Sequence, residues 1–474
     1  MIILSLIAPT FFGLTILVRC LINKGHLNKW MLVFALLPGT GIAITSVLHF
    51  LYFSFLRPHV SFTIYAVFEI FTGLTLFVAT MFWIRRQRRS IFVMKSGCLL
   101  INDRKSAFLS ILIFIVFVVF TANVLDDWYS QTLNSPHGNW DAWAIWNLRA
   151  KFIYSTEYWK NGFSSLISWS HPDYPLLIPS FIAREWFYFG RLSWAVPAIT
   201  GLVFLSSVVF VLVTGVGIIH GLSVGALAGL FALGIVLYSL KYLQYADLPL
   251  AFYFIAANLS YFLSETKYQG KPQLNFLVGF FIGAALWTKN EGFAFFMAII
   301  VSEVINVLSS PHGFSAQIKR WLFISYGCLP FIVSVILLKT TLAPSNDLII
   351  GTTINEIINK IFDPARFMMI GNHFFKQIIA PWSFRVPLVL LLIFYLLTVG
   401  LDKNKVLNRG IKMFGMRLGL TASFYFVVYL ITPRPLEWHL NSSVDRLFMQ
   451  LLPSFILFIF LAAKNPFFVE NTNL

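Results

Sequence analysis

The sequence predicts an all-α polytopic membrane protein of about thirteen transmembrane helices, on three observations. First, 58% of its 474 residues are hydrophobic and 11% are charged, against about a quarter charged in soluble chains. Second, long apolar runs recur, such as ILIFIVFVVF at 111–120 and LLPSFILFIF at 451–460. A helix needs about 20 such residues to cross a hydrocarbon core of ~30 Å. Third, the runs are continuous and do not alternate in ten-residue segments, which excludes a transmembrane barrel.

The windows fall at 2–19, 31–55, 60–84, 107–125, 193–214, 222–241, 248–264, 274–288, 292–308, 322–342, 387–400, 418–432 and 447–463. The apolar stretch 175–190 is left out. It opens on prolines and carries Arg184 and Glu185, two charges that would be costly against lipid. It reads as re-entrant or interfacial. Under this count the basic residues share one side: Lys24 and Lys29, the cluster Arg85, Arg86, Arg88, Arg89, Lys95, Arg104 and Lys105, then Lys319 and Arg320, then Lys403, Lys405, Arg409, Lys412 and Arg417. That side is expected to be cytoplasmic, with the N-terminus outside and the C-terminus inside.

The formal charge of +16 follows from these loops, which set topology and meet anionic headgroups. No nucleic-acid partner is expected. Cys20, Cys98 and Cys328 have no spacing that suggests a disulfide framework or a metal cluster. The first apolar run lacks a small-residue cleavage site and is expected to be a retained helix. No internal repeat is visible. Residues 1–106 read as an accessory lobe plus a basic linker, and 107–464 as the functional region, with long outer loops at 126–192 and 343–386. Residues 465–474 form a tail. Within the lobe, Glu69 lies mid-window and is expected to be protonated or hydrogen-bonded.

The polar clusters all fall on the outer side under this topology. After the fourth window the chain reads DDWYSQTLNSPHGNWDAWAIWNLRAKFIY. Asp141 opens a helical pattern in which Trp143, Trp146, Ala150 and Ile153 share a face, while Asn147, Arg149 and Lys151 fall elsewhere. A tryptophan stripe fits a helix in the headgroup plane, and Asp141 could be simply its cap. His171 and Asp173 follow in SHPDYP, a segment that could equally be a structural turn. Asp247 lies between two windows. Lys289 and Glu291 occupy the turn in WTKNEG, and Arg434, Glu437, His439, Asp445 and Arg446 the last outer segment. Each cluster alone could be interfacial anchoring by snorkelling side chains. Asp126 and Asp127 could bind a divalent cation, although no His/Cys/Asp cluster has convincing ligand spacing.

In order and spacing these residues resemble the GT-C superfamily of membrane glycosyltransferases, in particular the family 39 type with protein O-mannosyltransferases and aminoarabinose transferases. Asp141 in W-D-A-W-A-I-W is similar to that family's aspartate in D-E-x-x-Y, with Ala142 where an acid is common. H-P-D-Y-P-L-L resembles its K/H-P-P-L-Y-Y-W, with Asp173 replacing the second proline. Asp247 in Y-A-D-L-P-L matches R-x-D-x-L-L, and W-T-K-N-E-G resembles the L-T-K-G-P turn. The resemblance covers about 107–460 and leaves out the three leading helices. It implies a GT-C-like bundle with interfacial helices and an inverting sugar transfer from a polyprenyl-phosphate donor on the non-cytoplasmic face, at the bacterial inner membrane. The acceptor would be a lipid, a glycan or a protein.

That chemistry asks for a carboxylate as general base and for cations at the departing phosphate. Under the resemblance Asp141 is the base and Asp247 supports it. His171, Asp173, Lys289, Glu291, Arg434, His439 and Arg446 become candidates for substrate binding. No glycine pattern that cradles a nucleotide phosphate occurs in the cytoplasmic loops. The alternative function is a flippase or transporter of lipid-linked saccharide.

Overall fold

Inside a bilayer no water is available to the backbone, so an apolar chain must satisfy its own N–H and C=O groups. Here it does so with helices. The computed structural model describes residues 2–22, 27–86, 104–266, 271–308, 314–345, 353–382, 386–406 and 408–467. In order, these form α1 (Ile2–Leu21), α2 (Leu27–Leu51), α3 (Phe62–Arg86), α4 (Arg104–Asn134), α5 (Asn147–Tyr154), α6 (Leu177–Phe189), α7 (Ala195–His220), α8 (Leu222–Ser239) and α9 (Asp247–Glu265). There follow α10 (Pro272–Thr288), α11 (Gly292–Leu308), α12 (Phe314–Thr341), α13 (Ile354–Ile361), α14 (Pro364–Ile378), α15 (Leu388–Val399), α16 (Lys403–Val406), α17 (Arg409–Ile431) and α18 (Leu436–Ala462). The described residues contain no β-strand, only an isolated bridge between Leu401 and Ala463. Lys24, Arg88, Arg89, Lys95, Cys98 and the tail past Phe467 lie outside the described residues.

The chain is an all-α integral membrane protein. Among the described residues eight helices are long and apolar enough to cross a bilayer: α1, α2, α3, α4, α7, α12, α17 and α18. They coincide with eight of the expected windows. The remaining five windows fall on α8, α9, α10, α11 and α15, which are shorter or more polar.

Burial sorts the helices into layers. The apolar windows of α2 and α7 are each 67% buried, whereas those of α3 and α4 are 22% and 17% buried. Accordingly α3 and α4 present Phe68, Phe71, Phe82, Phe108, Ile111, Ile115 and Val118 outward, as lipid-facing helices do. At the centre, every residue of α9 from Asp247 to Ser264 is buried. Nearby, α10 and α12 approach each other through glycines. A Cβ on Gly279 would sit 1.8 Å from the Ile324 carbonyl oxygen, and one on Gly327 2.1 Å from that of Phe276. This is the small-residue contact that lets backbones touch in lipid.

Several boundaries differ from the expectation. The fourth window ends at 125, but α4 continues to Asn134. The last window begins at 447, but α18 starts at Leu436. Hydropathy fails there because a helix leaving the hydrocarbon no longer needs apolar side chains. The long connections expected as outer loops also carry helices. Residues 343–386 carry α13, opened by a Thr353–Glu356 capping box, and α14, capped by Asp363 with Pro364 in its first turn.

The three leading helices, expected as an accessory lobe, are tied to the rest of the bundle. Tyr253 of α9 donates to the Gly39 carbonyl at 2.9 Å, and Trp287 of α10 to Ser46 at 3.0 Å. Glu69 of α3 pairs with Arg184 of α6 at 2.6 Å, with both side chains fully buried. Tyr65 and Tyr188 donate to the same carboxylate at 2.8 and 2.9 Å, and Glu185 takes the other side of Arg184. The two charges on 175–190 therefore point into the protein.

Candidate functional site

Five of the expected residues, from widely separated segments, meet at one end of the bundle. Asp141 stands where the chain re-enters a helix after α4. It does not cap that helix, since its side chain makes no bond to the first-turn amides. The carboxylate instead pairs with Arg446, eleven residues into α18. Arg446 Nη1 also lies 4.0 Å from Asp247 Oδ2. On its other oxygen Asp247 accepts from Lys289 Nζ at 2.8 Å and from Gln450 at 2.5 Å. Lys289 in turn reaches Glu291 at 2.7 Å. The network thus runs Asp141–Arg446–Asp247–Lys289–Glu291.

Burial grades along it. The Asp247 and Lys289 side chains are 0% and 4% exposed, whereas those of Asp141, Arg446 and Glu291 are 18%, 14% and 22% exposed. The first two form the floor and the others the rim. Three carboxylates face two cations, so one formal negative charge is in excess. Asp247 Oδ2 and Glu291 Oε2 are buried oxygens without a hydrogen-bond partner. Burial pulls the Lys289 ammonium down, but Asp247 and then Glu291 outweigh it and hold Lys289 above the ordinary lysine range. Tyr245, whose hydroxyl accepts from the Asp141 amide at 3.3 Å, is pushed up to about 12 by burial and then by the Asp141 carboxylate.

A second cluster adjoins this one through the 289–291 turn. Asn290 donates to Asp173 Oδ2 at 2.8 Å, and Lys339 at the end of α12 lies 3.4 Å from the same oxygen. His171 is the one described non-glycine residue at positive φ, 48°, and stacks on Tyr174 with ring centroids 4.7 Å apart. Arg149 holds this segment by donating to the carbonyls of Ser170, His171 and Tyr174. Burial pulls its guanidinium down to about 10, so it remains a cation at neutral pH.

Not every expected residue joins. Arg434 lies over the Trp438 ring at 5.5 Å. His439 bonds Thr432 at 3.0 Å and meets Tyr429 edge-on. Arg434 lies just before α18 and His439 in its first turn, ~10 Å along the helix from Arg446. Asp126 and Asp127 are exposed on α4, where successive side chains point ~100° apart. Among the described residues no three His, Cys, Asp or Glu side chains gather to hold a metal.

The tryptophan stripe also breaks. A π-helical turn spans Ala142–Trp146, and its wider pitch leaves Trp143 44% exposed while Trp146 is 1% exposed. Trp143 then groups with the exposed Trp140 and Trp169 at ring distances of 4.6 Å (Trp140–Trp143) and 6.4 Å (Trp140–Trp169). Asn147 and Arg149, expected off the apolar face, are buried by their hydrogen bonds.

The expectation that charge pairs gather on one face only is corrected as well. At the opposite end of α9, Glu265 meets Arg320 at 2.8 Å and Arg417 at 3.4 Å, and Arg320 also reaches Glu303 at 3.0 Å. Tyr261 lies under both guanidinium groups, at 4.9 Å from Arg320 and 3.9 Å from Arg417.

Comparison with family models, with curated proteins and with solved structures found no match.

Proposed function

We propose that this protein is a membrane glycosyltransferase of GT-C type, with thirteen spans and its site on the non-cytoplasmic face, as at a bacterial inner membrane. The reading rests on the family resemblance described above. The observation that carries it furthest is the convergence of Asp141, Asp247, Lys289, Glu291 and Arg446 at one end of the bundle. In this reading the donor is a polyprenyl-phosphate sugar whose isoprenoid chain stays in lipid. Asp141, at the rim, takes the proton of the acceptor group as its oxygen or nitrogen bonds to the anomeric carbon. The bond from that carbon to phosphate oxygen breaks with inversion, and the electron pair leaves on the lipid phosphate. Arg446 is the cation that this phosphate and Asp141 share, so donor binding draws it from the carboxylate and frees the base. Asp247 acts through Arg446 and Lys289 as a positioning residue. Mass spectrometry of envelope glycolipids and glycoproteins, with and without the protein, tests the reading. A sugar modification that depends on the chain is expected, and an unchanged envelope contradicts it.

A second reading, a flippase or transporter of lipid-linked saccharide, draws on the surplus carboxylate and on Asp247 Oδ2 and Glu291 Oε2, which accept no hydrogen bond. Those oxygens suit a proton or a cation. Proteoliposomes separate the two, since a transporter moves the lipid-linked saccharide unchanged whereas a transferase forms a new glycosidic bond.

A further inference from the structure

Two carboxyl groups and one guanidinium meet where α6 packs on α1 and α3, and their formal charges do not balance. The side chains of Glu69, Arg184 and Glu185 are 0%, 0% and 7% exposed. Glu69 accepts from Tyr65, from Tyr188 and from both Nε and Nη2 of Arg184. Those four donors fill the acceptor sites of an ionised carboxylate. Arg184 is a permanent cation, and this bidentate contact matches its charge once. Its Nη1 is shared between the Ser5 carbonyl, at 3.0 Å, and Oε1 of Glu185. An ionised Glu185 would leave one buried negative charge unmatched.

Among the described residues no other cation is placed to match it. His49 of α2 is the nearest titratable group on that helix. Ser180 donates its hydroxyl to the Ser46 carbonyl at 2.8 Å, so His49 Nδ1 donates to Ser180 at 3.4 Å. The buried Nε2 has no partner, whereas an imidazolium would carry a donor there as well. The ring is therefore neutral. Arg57 donates to the Ile153 and Tyr154 carbonyls, and Arg149 of α5 to those of Ser170, His171 and Tyr174. Lys151 of α5 is exposed. Arg19, Lys29, Arg85, Arg86 and His220 stand at the far ends of α1, α2, α3 and α7, and α10 carries no charge.

We infer that Glu69, Arg184 and Glu185 form a proton-binding site, in which Glu185 holds one proton at neutral pH and so keeps the contact of α6 with α1 and α3 electrically neutral. A buried carboxyl without a counter-charge takes up a proton in preference to staying ionised. The proton sits on Oε2, the oxygen to which Arg184 makes no hydrogen bond, while Oε1 goes on accepting from Nη1. Glu69 and Arg184 remain an ion pair beside a neutral acid. The site shares no residue with the Asp141–Arg446 network and rests on neither functional reading.

Infrared spectroscopy reads the proton directly. The full chain in phosphatidylcholine nanodiscs is compared with Glu185→Gln at neutral pH, in the region of the protonated carboxyl stretch, in water and in deuterium oxide. The wild type is expected to show a deuterium-sensitive band that the variant lacks. Glu185→Gln also replaces a neutral acid by a neutral amide of the same shape, so the variant should melt at or above the wild-type temperature. An ionised Glu185 gives the opposite on both counts, no band lost and a lower melting temperature, because a buried ion pair loses one partner. Either result overturns the site, and a Glu185→Gln chain that fails to fold counts with the second. Where Glu69→Gln folds, Arg184 is left to Glu185, which gives up its proton to become the counter-ion. The same band should vanish there, and its survival overturns the site as well.

Discussion

Arg446 and Asp141 are 305 residues apart in the chain and form an ion pair at the rim of the bundle, with side chains 14% and 18% exposed. The pair ties the segment that follows α4 to α18. It also places a cation between the proposed base and the buried Asp247. A double-mutant cycle measures what it contributes. Asp141→Asn leaves Arg446 with only the 4.0 Å contact to Asp247, and Arg446→Gln leaves the Asp141 carboxylate without its cation. Each is expected to lower stability by about 1–3 kcal/mol, and the double variant by less than their sum. Thermal unfolding in detergent reads the coupling, and strict additivity contradicts the pair.

Alkaline pH tests the surroundings of Asp141. The Tyr245 phenol is raised to about 12 by burial and the Asp141 carboxylate, and Lys289 is raised by Asp247 and Glu291 against burial. Above pH 10 the unfolded chain releases these protons while the folded one keeps them, so stability falls as pH rises from 10 toward 12. The Tyr245 share is at most about 1.4 kcal/mol per pH unit. The slope of melting temperature against pH should be smaller in Tyr245→Phe, and an identical slope excludes Tyr245 as a contributor.

Glu69→Gln should be strongly destabilising, by about 3–5 kcal/mol, because Arg184 would remain buried with only Glu185 to oppose it. If the variant melts with the wild type, α3 is not anchored through this pair.

Orientation is open to direct labelling. With thirteen spans, single cysteines at His137 and Asn404 lie on opposite faces, and an impermeant maleimide applied from outside should modify the first alone. Modification of both, or of Asn404 alone, rejects the thirteen-span parity.

The helices and the rim charges were legible because each leaves a local mark. Lipid crossing demands continuous apolar runs; Asp247, Lys289, Glu291 and Arg446 stand where windows meet or begin, and Asp141 opens the helical pattern that follows the fourth. What was hidden depends on distant partners. Gln450 looks like any polar residue inside α18 until α9 brings Asp247 to 2.5 Å, and Lys339 like an ordinary helix end until Asp173 and Asn290 meet it. Arg149 gave no signal because its three acceptors are backbone carbonyls, which have no sequence. The π-helical turn at Ala142–Trp146 was equally hidden, since apolar spacing assumes an α-helical period. Arg184 was excluded from lipid on energetic grounds, but its partner Glu69, 115 residues away, could not be read from either segment.

The central claim is that this site moves a sugar from a polyprenyl phosphate, with Asp141 as base. Purified protein in lipid is offered polyprenyl-phosphate sugars and nucleotide sugars separately, with envelope lipid extract as acceptor, and the product is read by mass spectrometry. Transfer is expected from the polyprenyl-phosphate donor alone, and it should fall by about 10²–10⁴-fold in Asp141→Asn while that variant stays folded and inserted. Transfer from a nucleotide sugar with no polyprenyl phosphate present, or near-normal activity in Asp141→Asn, contradicts the account.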